Sequence, residues 1–155
     1  MAVKSEVEAA DYYSHLKQLI RNQLLLKKIE FLVMEEKKHK ELLERFFTRK
    51  FPESPLKLPE ESFLAYGQAK IDDQSSVKDL FKIALEAEKS AEEFYHKASE
   101  KVAGVQSNKI FRYLTRVERS HYYIIKSEMD LLEKFPDYYN VEEFHFGEEF
   151  VHIGP

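Results

Sequence analysis

The feature that most constrains this chain is a pattern of carboxylate and imidazole side chains written twice. Glu6 precedes Glu36 by 30 residues, and His39 follows Glu36 by three. Glu88 precedes Glu118 by 30 residues, and His121 follows Glu118 by three. The two copies stand 82 positions apart (88 − 6 = 82). Residues three apart are neighbours on a helix surface, so each Glu-x-x-His points both side chains to one face. The order Glu, Glu-x-x-His, Glu, Glu-x-x-His is that of a helical bundle holding two metal ions between facing helices.

A Glu-x-x-His tetrad alone decides little, because 28 of the 155 residues are acidic. Five of the six histidines (His39, His96, His121, His145 and His152) have Glu three positions earlier. The position 30 residues before that Glu separates them: it is Glu6 for His39 and Glu88 for His121, but Phe63, Arg112 and Arg119 for the others. The repeat also runs beyond the acids. At the same offset Ala9 matches Ala91, Tyr12 Phe94, Tyr13 Tyr95, Ile29 Phe111, Leu32 Leu114 and Leu43 Ile125, so the chain is a two-copy duplication.

Apolar residues recur at spacings of three and four, the mark of one helix face. The seams are Ala2, Glu6, Ala9, Tyr13, Leu16, Ile20; Ile29, Leu32, Glu36, His39, Leu43, Phe46; Phe81, Ala84, Glu88, Ala91, Tyr95, Ala98, Val102; and Phe111, Leu114, Glu118, His121, Ile125, Glu128, Leu132. The candidate ligands interrupt seams that are otherwise apolar, apart from Glu128, which stands outside the repeat and is expected to be solvated near the bundle end. Positions 6 and 36 are equidistant from 21, and 88 and 118 from 103, so two tight hairpins bring the acids level. Asn22 and Gly104 follow those midpoints and tolerate the left-handed conformation that ends helices. Ser76 with Asp79 predicts the N-cap of the third helix.

These patterns predict an all-α, antiparallel four-helix bundle of two repeated hairpins over about 1–50 and 77–135. A long crossover at about 51–76 joins them, holding Pro52, Pro55, Pro59 and Gly67 and a short helix starting near Pro59. The tail 136–155 is expected to pack on the bundle or on a partner chain, most simply in a homo-oligomer such as a dimer. Only 4 Gly and 5 Pro argue against an all-β fold. A net charge of −4 and the lack of a basic stripe argue against nucleic acid as partner. Cysteine is absent, which excludes disulfides and thiolate chemistry and fits the expected cytoplasmic location. The start MAVKSEVEAA is acidic within ten residues, unlike a signal peptide, and no apolar run is long enough to cross a membrane.

Four carboxylates at one buried level repel one another and are costly to desolvate. No Lys or Arg stands at a matching seam position to neutralise them. Two divalent cations do so, and a set of carboxylate oxygens and imidazole nitrogens suits iron or manganese, with zinc as competitor. One division gives each metal one His and one terminal Glu, with Glu36 and Glu118 bridging. Tyr13 and Tyr95 lie two helical turns after Glu6 and Glu88 on the same face. Each is read either as a large core ring or as a phenol donating to a ligand carboxylate.

The segments SEVEAADYYSHLKQL with MEEKKH, and ALEAEKSAEEFYHKASEK with VERSH, resemble the two halves of the ferritin-like superfamily pattern, most closely the rubrerythrin-like di-iron carboxylate proteins. The resemblance covers about residues 1–50 and 77–133. It implies a non-haem di-iron centre on Glu6, Glu36, His39, Glu88, Glu118 and His121 that reduces hydrogen peroxide or dioxygen as ferrous iron becomes ferric. Two departures stand out. Full rubrerythrins feed electrons through a Cys-ligated rubredoxin domain, and this chain has no Cys, so an external electron-donor protein is implied. They also commonly carry a further Glu three residues after the third-helix ligand, where this chain has Ala91. Ferrous iron binding, oxidation and storage without an organic substrate is the first alternative function. A helical interaction module with a structural metal is the second.

Overall fold

A computed structural model describes residues 1–60, 63, 64, 66 and 76–139. Four helices make up nearly all of it: α1 (Ala2–Leu19), α2 (Gln23–Lys50), α3 (Val77–Lys101) and α4 (Val105–Lys134). No strand occurs among the described residues. α1 packs along α2 and α3 along α4, each pair closed by a short connection, and the two hairpins face each other to make the bundle. A 3-10 turn, Pro136–Tyr139, packs on α4. The tail beyond it lies outside the described residues, as does much of the segment where a short helix starting near Pro59 is expected. No helix among the described residues is long and apolar enough to cross a membrane.

Local chemistry explains where the helices break. α1 ends as Ile20 turns extended, at φ −94° and ψ 129°. Asn22 then starts α2: its side-chain oxygen accepts the backbone N–H of Leu24 at 3.0 Å and of Leu25 at 3.1 Å. Asn22 is therefore an N-cap in the extended region (φ −66°), not the left-handed residue that its place in the hairpin suggests. Its repeat equivalent Gly104 does take positive φ, at 98°, and opens α4. Asparagine caps through its side chain, whereas glycine has none and turns the backbone instead. Ser76 caps α3 as its spacing with Asp79 predicts, accepting the Asp79 N–H at 3.1 Å.

The helix seams face inward. Tyr13, Leu16, Ile29, Leu32, Phe81, Ala84, Tyr95, Leu114 and Ile125 are wholly buried and belong to one core. Each fully buried Leu or Ile side chain contributes about 1.5–3 kcal/mol by leaving water. Leu32 precedes Glu36 by one turn and Leu43 follows His39 by one, while Leu114 precedes Glu118 and Ile125 follows His121 in the same way. Apolar residues thus bracket the polar level on both hairpins. Glu128 departs from its expected solvation. It is buried, and its carboxylate accepts from the Lys28 ammonium on α2, a partner 100 residues away that no seam pattern reveals.

Candidate metal centre

Glu6, Glu36, His39, Glu88, Glu118 and His121 meet at one level of the bundle, one from each of α1 and α3 and two from each of α2 and α4. None is more than 2% exposed. Their atoms sort into two sets. Around His39 Nδ1 stand Glu6 Oε2 at 3.2 Å, Glu36 Oε2 at 3.3 Å and Glu118 Oε1 at 3.3 Å. Around His121 Nδ1 stand Glu36 Oε1 at 2.9 Å, Glu118 Oε2 at 3.4 Å and Glu88 Oε2 at 3.7 Å. Each set can offer four donor atoms within 4.8 Å of one another. Glu36 and Glu118 belong to both and turn a different oxygen to each, which is the geometry of a bridging carboxylate. Glu6 and Glu88 belong to one set each.

These atoms converge without pairing well. His121 Nδ1 and Glu36 Oε1 are close in distance, yet neither makes an aligned hydrogen bond, and Glu88 Oε2 and Glu118 Oε1 are likewise left without one. His39 Nδ1 pairs with Glu6 Oε2 and Glu36 Oε2, while these other atoms stay without a partner. Buried polar atoms left this way cost about 1–3 kcal/mol each, more when charged. That pattern, with a mixed oxygen and nitrogen donor set, fits a pair of divalent ions.

The electrostatics of the metal-free cluster show the same crowding. Burial raises Glu6 well above the usual carboxylate range, with the charges of Glu118 and Glu36 adding to it. Burial raises Glu88 as well, and despite His121 beside it the group is pushed up to about 8. For Glu118 burial is outweighed by His121 and His39, which pull it down to about 2. Burial disfavours charge on His39, but Glu118, Glu36 and Glu6 outweigh it and push the imidazole up to about 12. His121 is raised in the same manner by Glu118, Glu36 and Glu88, against burial. Without metal, protons shared among these groups supply the missing positive charge.

The two tyrosines do more than fill the core. Tyr13 on α1 donates to Glu88 Oε1 on α3, and Tyr95 on α3 donates to Glu6 Oε1 on α1. Each phenol thus takes the carboxylate oxygen turned away from the imidazole, leaving Oε2 facing inward. The crossing pairs are related by the 82-residue offset, so the contact that one copy makes to the other is returned in kind. His96, excluded by its spacing, lies exposed beside Glu100 at 3.6 Å. His145 and His152 lie outside the described residues.

Sequence reasoning missed several participants. Tyr66, from the crossover, lies 2.9 Å from Glu88 Oε1 and is buried. Phe31 stands edge-on to His121 and Tyr113 edge-on to His39, each at 6.5 Å and 88°. They are repeat equivalents (31 + 82 = 113), so the offset contains the signal that finds them. The imidazoles themselves stack at 5.4 Å and 18°. Glu35 can also bring an oxygen within 4.8 Å of both imidazoles, and it accepts from Lys38 at 2.6 Å. Tyr66 stands outside the repeat, in a segment with no period, and nothing in the sequence singles it out.

The sequence matches the family model described as Rubrerythrin over residues 1–129. A solved structure of a hypothetical protein from Pyrococcus furiosus is similar, with 32% identity, a TM-score of 0.77, and 87% of each chain covered. None of the curated proteins compared with the chain matches it.

Proposed function

The chain belongs to the rubrerythrin family, and on that premise we propose that it holds two iron ions in this cluster and reduces hydrogen peroxide or dioxygen with electrons from an external donor protein. The observation that carries the proposal is the sharing of Glu36 and Glu118 between two histidine-bearing sets through opposite oxygens. Two ferrous ions held close together supply the two electrons that cleavage of an O–O bond takes. His39 with Glu6 would hold one ion, His121 with Glu88 the other, and Glu36 and Glu118 both. Tyr13 and Tyr95 orient the two terminal carboxylates. The apolar residues above and below the level exclude bulk water, which strengthens every charge interaction inside. Manganese and zinc suit the same donors, and the preference for iron comes from the family.

The test is anaerobic loading with ferrous ion followed by rapid mixing with peroxide and, separately, with dioxygen. The proposal expects about two ions per chain, oxidation faster than free ferrous ion, and turnover only with added reductant. Oxidation no faster than free iron under both oxidants would leave a structural metal as the reading. Ferrous oxidation without peroxidase turnover is the second reading, and Ala91 favours it. It is buried one turn after Glu88 and brings no further carboxylate where the family commonly has one.

A further inference from the structure

The repeat makes two equivalent metal positions. The crossover lies outside the repeat, so it can break that equivalence. It lays one aromatic ring on each half. Phe63 stacks on Phe94 at 4.5 Å and 26°, and Tyr66 packs on Tyr12 at 4.4 Å and 33°. Phe94 and Tyr12 are repeat equivalents (12 + 82 = 94), so Phe63 and Tyr66 take corresponding places on the two halves. Phe63 has no hydroxyl and Tyr66 has one.

That hydroxyl reaches the cluster. Tyr66 Oη lies 2.9 Å from Glu88 Oε1 and 3.1 Å from Tyr13 Oη. A phenol carries one hydrogen, and the charged carboxylate is the stronger acceptor, so Tyr66 donates to Glu88. Tyr13 donates to the same oxygen. Glu88 Oε1 therefore accepts two phenol hydrogens, and Oε2 is left on the side of His121. At the other terminal carboxylate, Glu6 Oε1 accepts from Tyr95 alone among the described residues. The Tyr66 ring packs between Tyr12 and the edge of Tyr13 (5.9 Å, 68°), so packing places its hydroxyl.

We propose that Tyr66 is a positioning residue that makes the two metal positions unequal, so that the Glu88/His121 position binds its ion more tightly and fills first. This rests on the reading of the cluster as a two-metal site. Two opposing effects are at work. Hydrogen bonds to a carboxylate draw electron density from it and weaken it as a donor. They also hold it in the ligating orientation, which removes an ordering cost on binding. Both phenols act on Oε1, the oxygen turned away from the imidazole, so the orienting effect dominates. Partners of this kind are worth roughly 10–100-fold in metal affinity.

The experiment is a zinc titration of the full chain with 15N-labelled histidine, following the His39 and His121 ring signals separately. Zinc takes oxygen and nitrogen donors and has no redox chemistry, so the result does not depend on oxidase or peroxidase activity. In the unmodified chain the His121 signals should reach their bound positions before those of His39. Tyr66→Phe keeps the ring and removes the hydroxyl. It should weaken the His121 position by roughly 10–100-fold, leave His39 unchanged, and abolish or reverse the order of filling. Tyr95→Phe should weaken only the His39 position and widen the gap, a response that a general loss of packing would not give. The proposal is overturned if both imidazoles fill together in the unmodified chain, or if Tyr66→Phe weakens both positions alike or neither. Absence of zinc binding altogether would overturn it together with the two-metal reading, and the titration distinguishes the two failures.

Discussion

Glu36 and Glu118 each present an oxygen to both imidazoles, whereas Glu6 and Glu88 each serve one. Loss of a shared carboxylate should therefore remove both ions. Glu36→Ala or Glu118→Ala should lower anaerobically loaded iron from about two per chain to near none, and Glu6→Ala or Glu88→Ala to about one. His96→Ala should leave the iron content unchanged, since His96 is exposed beside Glu100. Elemental analysis of the five variants checks all three outcomes, and loss of iron in the His96 variant would break the spacing rule that set it aside. All six cluster residues were legible in the sequence because a buried carboxylate is costly at any one seam position, and the same cost recurs 82 residues later. Phe31 and Tyr113 carry the same offset but pack edge-on outside the seam. Tyr66 and Glu128 were not legible as participants. Tyr66 reaches Glu88 from an aperiodic segment, and Glu128 is buried by an ion pair with Lys28 on another helix. Helical periodicity encodes which face a residue takes, not which distant side chain meets it.

At the scale of helices and their turns, the two hairpins are equivalent in place but not in chemistry. Gly104 holds φ at 98°, where a Cβ is strained whatever space surrounds it. Gly104→Ala should therefore destabilise the protein by about 1 kcal/mol or more. Asn22 keeps an ordinary backbone and works through its side chain, so Asn22→Ala should cost about 1 kcal/mol and Asn22→Gly only a few tenths. Urea unfolding of the three variants in the metal-free state separates the two mechanisms. Asn22→Ala matching Asn22→Gly would show that the cap bonds to Leu24 and Leu25 contribute little. The midpoint of each ligand pair located both turns, because two helices that meet level must reverse halfway between. It could not decide how each turn is made. Asparagine serves equally as a left-handed terminator or as an N-cap, and only the chain's direction after Ile20, extended into α2, selects the second.

For the whole molecule, the metal centre sets stability against charge, and pH reads the balance. Take the metal-free state first. Glu88 titrates near 4.5 when unfolded and is pushed up to about 8 by burial. Between those values the folded chain keeps a proton that the unfolded chain releases. The stability from that proton is complete below about pH 4.5 and is lost as pH rises to about 8. His39 acts with the same sign: the carboxylates raise it from 6.5 to about 12, so its contribution is complete below 6.5 and declines as pH rises through 12. Glu118 acts oppositely, because its lowered value of about 2 makes it stabilising above 4.5 and costly as pH falls towards 2. The metal-free Tm should therefore fall as pH rises from mildly acid to about 8. Metal binding displaces these protons, so the rise in Tm on loading should grow over the same window, with protons released into the buffer. Replacing Glu6, Glu36, Glu88 and Glu118 together by Leu removes both the mutual repulsion and the desolvation cost. That protein should bind no metal, melt at or above the metal-free parent near neutral pH, and no longer lose Tm as pH rises to about 8, because its buried imidazoles lack the carboxylates that hold their protons. Thermal melts of the parent and the four-Leu protein, each with and without ferrous ion at three pH values, measure every term. A parent whose Tm ignores added iron, alongside a four-Leu protein that melts lower, would mean that the carboxylates are satisfied within the bundle itself, and the level they share would then be a polar layer of the core rather than a place for metal.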